Sequence, residues 1–236
     1  MPGTRWELSS GDRDDPASSD IRRARRSQTR QSVRRFVSSP VLALRLSQDA
    51  PMAPLTKLAQ WLIVVTGWTG AGKSTMAELV AAEVGATVAS FDWLMSALRD
   101  HEDVWELVEN PVERQRRVGW SLLGRVAEQQ LRGGRSCVVD LVAREEPVGE
   151  WQQLADRYGA SFAVVECICS DIEVHRTRVE GRSRMIPGWY ELDWEGVVRG
   201  RQLYKQLSEP KVVIDAVQPV AENLHIVMHH LAAVQR

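Results

Sequence analysis

One nonapeptide constrains this chain more than any other segment: Gly67-Trp68-Thr69-Gly70-Ala71-Gly72-Lys73-Ser74-Thr75. It matches G-x-x-x-x-G-K-[ST] in full. Before it runs Trp61–Thr66, short, apolar and β-branched, which reads as a strand buried on both faces. After it, Met76, Leu79, Val80 and Val84 recur at helical spacing. The segment therefore has to fold as strand, tight turn and helix. Gly70 and Gly72 let the turn curl so that successive N–H groups point inward. With the helix N-terminus they form a cradle for phosphate oxygens. Lys73 stands where it reaches the outer phosphates of a nucleoside triphosphate, and the Ser74 hydroxyl where it meets Mg²⁺. The Trp68 side chain is expected to point out of the cradle, where it would stack on a base or guard the entrance.

The alternation continues downstream. Thr87–Phe91 reads as a second strand, followed by a helix from Asp92 to about Arg99. Pro111 opens a longer helix through Leu131, closed by Gly133-Gly134. Ser136–Leu141 is a third strand, Pro147–Tyr158 a helix and Phe162–Cys169 a fourth strand. Asp171 is placed to cap a helix through Glu180. An irregular stretch, Gly181–Leu192, follows, then a helix over Trp194–Leu207, a strand over Lys211–Asp215 and a last helix over Val220–Val234. Five apolar strands alternating with helices predict an α/β fold with a parallel sheet, which binds ligands at the carboxyl ends of its strands.

Composition removes several classes. The net charge of -1 excludes a chain that is basic throughout, so nucleic acid is not the expected partner. No run approaches the roughly 18 apolar residues that span a bilayer. The three cysteines, Cys137, Cys167 and Cys169, form no C-x-x-C pair, so neither a disulfide framework nor a zinc site is expected, and the expected location is cytoplasmic. Charge is unevenly spread: residues 1–51 hold ten arginines against six acids, and Ile21–Arg35 holds seven arginines and no acid. Apolar periodicity there is too poor to offset the entropy of ordering. Residues 1–55 are expected to be a disordered or partly helical Arg-rich tail, and 56–236 a single domain. The tail lacks the apolar core of a secretory signal, and Met52 is an alternative start.

The loop specifies a triphosphate but not its fate. A regulatory GTPase needs N-K-x-D, which is absent, and Asp140 is followed by Leu-Val-Ala rather than by D-x-x-G. A hydrolytic ATPase usually pairs its strand-end Asp with a Glu that polarises water, and Leu141 stands there instead. Transfer to a bound acceptor is favoured. Asp92, just past the second strand, would accept a proton from an acceptor hydroxyl, or would cap the following helix. Asp140 would hold Mg²⁺. Arg176, Arg178, Arg182 and Arg184 cluster around the Gly181 break, as on a flap that closes over a triphosphate. Trp93, Arg99, His101, Trp105, Arg114 and Trp120 fall where an acceptor pocket would form. His101, His175, His229 and His230 lack metal spacing and are expected at the surface.

Gly67–Thr75, Asp92, Asp140 and the Arg-rich 175–184 segment together resemble P-loop kinases of the nucleoside-monophosphate-kinase fold. The likeness is greatest to the AAA-domain small-molecule kinase branch; zeta-toxin-type and chloramphenicol-phosphotransferase-type kinases are relatives in the same broad group. Val179-Glu-Gly-Arg182, Ile186-Pro-Gly-Trp189 and Trp194 are similar to the lid of that branch. The resemblance covers about residues 61–234. It implies a five-stranded parallel sheet ordered 2-3-1-4-5, flanked by helices, with an Arg-rich lid between the fourth and fifth strands. It implies ATP and Mg²⁺ at Gly67–Thr75 and Asp140, an acceptor at Asp92, and Arg178 or Arg182 acting from the lid. It further implies that Arg144, four residues past Asp140, faces the acceptor. A monophosphate-binding arginine pair is missing, so the expected acceptor is another small molecule. The leading expectation is an ATP-dependent phosphotransferase that moves the γ-phosphoryl to a hydroxyl. The alternatives are an ATP-binding regulatory module with little transfer and a toxin-type kinase of nucleotide sugars.

Overall fold

The computed structural model describes residues 59–205, 207–208 and 210–235, so the tail expected over 1–55 lies outside the described residues. Among these residues, β1 (Trp61–Gly67), β2 (Ala86–Ser90), β3 (Ser136–Asp140), β4 (Ser161–Ile168) and β5 (Val212–Asp215) form one sheet. Its order is β2-β3-β1-β4-β5 and the pairings are parallel, as expected. The helices are α1 (Lys73–Val84), α2 (Phe91–Arg99), α3 (Glu102–Val108), α4 (Val112–Arg132), α5 (Glu145–Tyr158), α6 (Ile172–Glu180), α7 (Trp194–Leu203) and α8 (Val220–Val234).

The continuous apolar runs follow from burial on both faces. Leu62, Val64, Val139 and Val164 point to one side, where Trp120, Leu123 and Ala127 of α4 and Val148 and Trp151 of α5 cover them. Ile63, Val65, Val138 and Val165 point to the other, against Met76, Ala77 and Val80 of α1 and Val227 and Leu231 of α8. Only a strand with apolar residues at every position satisfies both layers. Gly119 lets α4 approach α2: a Cβ there would lie 2.1 Å from the Phe91 ring.

Register places the chemistry. Val65 pairs with Asp140, and Asp140 with Ser90. Three residues far apart in sequence thus stand side by side, two strand spacings or about 10 Å across. The phosphate loop, Asp92 and Asp140 consequently share one carboxyl edge.

The structure corrects several boundaries. Phe91 opens α2 rather than closing β2, because its ring packs on Gly119. Helix α3 was not expected: only Val108 of its apolar residues is buried, and Leu107 is exposed, so it carries little periodic signal. Helix α7 stops at Leu203 rather than Leu207. Lys211 precedes β5, and its ammonium lies 2.5 Å from the fully buried Glu166 of β4, which also accepts from Tyr204 Oη at 2.7 Å. That network ties the α7–β5 connection to the middle of the sheet. The three cysteines are free and buried. No helix among the described residues is long and apolar enough to cross a membrane.

Candidate active site

The loop after β1 has the geometry its glycines imply. Gly67, Gly70 and Gly72 sit at φ 127°, 86° and 80°, which L side chains rarely adopt. Gly72 is the N-cap of α1 and offers no side chain to cap it, so the first amides of α1 are available to an anion. Lys73 Nζ donates to the Trp68 carbonyl at 3.0 Å, folding the ammonium back over the loop. Burial lowers its pKa, while Asp140, Cys167 and Asp92 act in the opposite direction.

Ser74 Oγ donates to Asp140 Oδ2 at 2.7 Å. Asp140 is buried, which raises its pKa; Lys73 and Ser74 partly offset that rise. A hydroxyl and a carboxylate beside a phosphate cradle are the oxygen donors Mg²⁺ takes when it binds through a nucleotide. No cluster of three or more His, Cys, Asp or Glu side chains able to hold a metal occurs among the described residues, and such a site does not need one. The residues present therefore fit a nucleotide phosphate with its cation.

Beside this pair opens a cleft of about 460 Å³, lined among others by Ser74, Glu78, Asp92, Trp93, Asp140 and Arg184. Asp92 lies in the first turn of α2, one residue past its start. The N-cap is Ser90, so Asp92 does not cap the helix as its residue type allowed. Its carboxylate instead accepts from Arg184 Nη1. Arg184 also donates from Nε to Glu191 and from Nη2 to the Tyr190 carbonyl. Burial opposes the charge of Arg184, but Asp92 and Glu191 outweigh it and raise its pKa.

Arg184 lies on the irregular segment 181–193 between α6 and α7. Helix α6 ends at Glu180, so Arg182 does not continue its face, and Arg178 and Arg182 part company. Arg178 is exposed on α6, and its charge acts on Cys169, His175 and Asp215. Arg182 is largely buried. Its Nη2 lies 3.2 Å from Glu191, yet Nη2 and Nε lack an aligned hydrogen bond, and its charge acts on Lys73. Burial and then Arg184 lower its pKa. The same segment is held to α2 and α3 by Arg99, whose guanidinium lies 5.2 Å from the ring centres of Trp105 and Tyr190 and 5.6 Å from that of Trp189.

His175 overturns the surface expectation: it is fully buried beneath the loop. Its Nε2 donates to the Thr69 carbonyl at 2.7 Å, its ring meets Trp194 edge-on at 5.3 Å, and Trp68 stacks over it at 6.2 Å. Arg201 lies 3.9 Å from the Trp68 ring centre. Trp68 is thus used by the protein itself, between α6 and α7. No metal spacing marked His175, but its place four residues past the Asp171 cap, level with buried Val179, is a core position. We expect His175→Ala to lose about 2–4 kcal/mol in denaturant unfolding, from the cavity and the unpaired carbonyl. His175→Gln, which keeps a donor, should recover part. Burial lowers the imidazole pKa, helped by Arg201, Lys73 and Arg178 and opposed by the Thr69 carbonyl. The unfolded chain therefore takes the proton first, and this contribution to stability is lost as pH falls below about 6.5. That part of the pH dependence should vanish in His175→Gln.

The remaining singled-out residues separate clearly. Trp120 is core, Trp93 is 54 % exposed at the cleft, and His101 and His229 are exposed. Arg114 donates to the Leu107 carbonyl. Arg144 precedes α5 and pairs with Glu113 at 3.2 Å; it is not among the residues lining the cleft.

Sheet order, phosphate loop and carboxyl-edge aspartates define a P-loop protein with the fold of small-molecule kinases. The chain belongs to the AAA-domain family, which it matches over residues 62–187. No curated protein matches it in sequence. Among solved structures it is similar to a gluconokinase from Sinorhizobium meliloti 1021, with 18 % identity over 75 % of this chain and 94 % of that one and a TM-score of 0.55. A sugar kinase from Janibacter sp. HTCC2649 gives 20 % identity over 75 % and 99 % of the two chains, TM-score 0.54. The Mycobacterium tuberculosis APS kinase, solved with AMPPNP and APS, gives 17 % over 74 % and 98 %, TM-score 0.51. At these identities the likeness is one of fold.

Proposed function

We propose that this protein transfers the γ-phosphoryl group of Mg-ATP to a hydroxyl of a small-molecule acceptor. The observation that carries the reading is the shared cleft: a Ser74–Asp140 pair at the phosphate loop and, in the same cavity, a carboxylate, Asp92, aligned by an arginine. The likeness in fold to a gluconokinase, a sugar kinase and APS kinase supports it.

In this reading ATP supplies an activated phosphoryl group and Mg²⁺ neutralises its oxygens. The amides of Gly67–Thr75 and Lys73 hold the phosphates, and Ser74 with Asp140 holds the cation. Asp92 takes the proton of the acceptor hydroxyl as its oxygen bonds to phosphorus and the bond to ADP breaks. Residues 181–193 serve as the lid. Arg182, unpaired by aligned hydrogen bonds and close enough to act on Lys73, is the lid arginine that meets developing charge. Arg178 stays outside on α6. Arg144 is reserved for an acceptor that extends past β3.

Asp92→Asn is the test. It keeps the shape but removes the base, and should lower acceptor-dependent ADP release by about a hundred- to ten-thousandfold while ATP still binds. Transfer at the wild-type rate would reject Asp92 as base. ATP binding with no transfer to any acceptor in the wild type would favour a nucleotide-binding regulatory module.

A further inference from the structure

On the phosphotransfer reading, we infer that the acceptor is a cationic hydroxyl compound, an amino alcohol or amino sugar, received by Glu78 and the face of Trp93. The cleft has three carboxylates, Glu78, Asp92 and Asp140, and one guanidinium, Arg184. Asp140 is engaged by Ser74 on the phosphate side. Arg184 is largely engaged by the protein: each of its three nitrogens already donates, Nη1 to Asp92, Nε to Glu191 and Nη2 to the Tyr190 carbonyl. A carboxylate, sulfate or phosphate on the acceptor would have to share an arginine already paired with two carboxylates, and would face Glu78 and Asp92.

The neighbouring cations are directed away from the acceptor. Arg99 is enclosed by the rings of Trp105, Trp189 and Tyr190. Arg182 is largely buried and acts on Lys73, toward the phosphates. By contrast, Glu78 has no ion-pair or hydrogen-bond partner among the described residues. The Trp93 ring, 54 % exposed, has no aromatic or cation contact among them either. An unpaired carboxylate and an unoccupied indole face in one cavity are the two groups that bind an ammonium: the first by charge, the second through its quadrupole. Asp92, in the same cleft, then meets the hydroxyl that the bound cation carries.

The experiment is a matched acceptor panel with purified full-length protein and Mg-ATP. Each set holds an amino sugar or amino alcohol, its N-acetylated form and the corresponding sugar or hydroxy acid. ADP release gives kcat/KM, and calorimetry with a non-hydrolysable ATP analogue gives acceptor binding without turnover. The cationic members should exceed their N-acetylated partners by roughly tenfold or more in both readouts. Glu78→Gln and Trp93→Ala should each shrink that ratio severalfold, and Trp93→Phe should restore part of it. Nucleotide binding by the same variants reports whether they fold. A preference for neutral or anionic members, or an undiminished ratio in both variants, overturns this inference and leaves phosphotransfer standing. Nucleotide binding with neither transfer to nor binding of any member overturns both.

Discussion

Lys73→Ala should lower phosphoryl transfer by about a hundred- to a thousandfold, the cost of removing one preorganised group from developing charge. The ammonium is the one cation within the loop itself and is already folded over it, donating to the Trp68 carbonyl at 3.0 Å. The charges of two acidic groups, Asp140 and Asp92, also act on it. Its loss would leave Asp140, already buried, without the positive charge that offsets its burial. Nucleotide affinity should fall as well, because in the proposed reaction the lysine meets the phosphates before and during transfer. Single-turnover ADP formation with saturating ATP separates the two effects. Wild-type turnover in Lys73→Ala would sink the assignment of the loop as the catalytic phosphate site.

Gly67→Ala should be the most damaging single methyl in the domain. A Cβ there would lie 1.9 Å from the Cys167 carbonyl oxygen and 2.8 Å from the same residue's backbone carbon and nitrogen. Those atoms belong to β4, in register with Gly67, and cannot move without opening the sheet between β1 and β4. The backbone angle, φ 127°, adds strain of its own. A loss of about 3 kcal/mol or more is expected, a large part of the stability of an ordinary domain. Gly72→Ala is the internal control. It also has positive φ, at 80°, but nothing lies within 4 Å of its Cβ, so only the backbone cost of about 1–2 kcal/mol applies. Thermal or denaturant unfolding of the two variants should therefore rank Gly67→Ala well below Gly72→Ala. Equal effects would mean that the close approach to Cys167 is relieved at little cost.

Much of the site was legible because its signals are local. The strand–turn–helix flanks of Gly67–Thr75 and the strand ends at Asp140 and just before Asp92 are patterns of a few residues each. The parallel sheet then brings them to one edge. Asp171 as the cap of α6 was legible for the same reason, and it accepts from the amides of Glu173 and Val174. His175 was misjudged because residue type alone places histidine at the surface, and its burial depends on Thr69, Trp68 and Trp194 arriving from two other segments. The arginines were read as one cluster, but Gly181 ends the helix and sends them apart: Arg178 to solvent, Arg182 toward Lys73 and Arg184 to Asp92. Trp68 was expected to stack on a base or guard the entrance, and its ring is instead covered by Arg201, 133 positions away in sequence.

By itself, then, the sequence determined the alternation of buried strands and helices, the conformation of the phosphate loop and the identity of its lysine and serine. Those depend on periodicity, glycine torsions and spacing within a dozen residues. Only the tertiary structure decided which cation is spent and which is free, which tryptophan is braced and which is open, and which carboxylate lacks a partner. Such pairings join side chains many tens of residues apart, and their energies exist only once the sheet has set the distances between them.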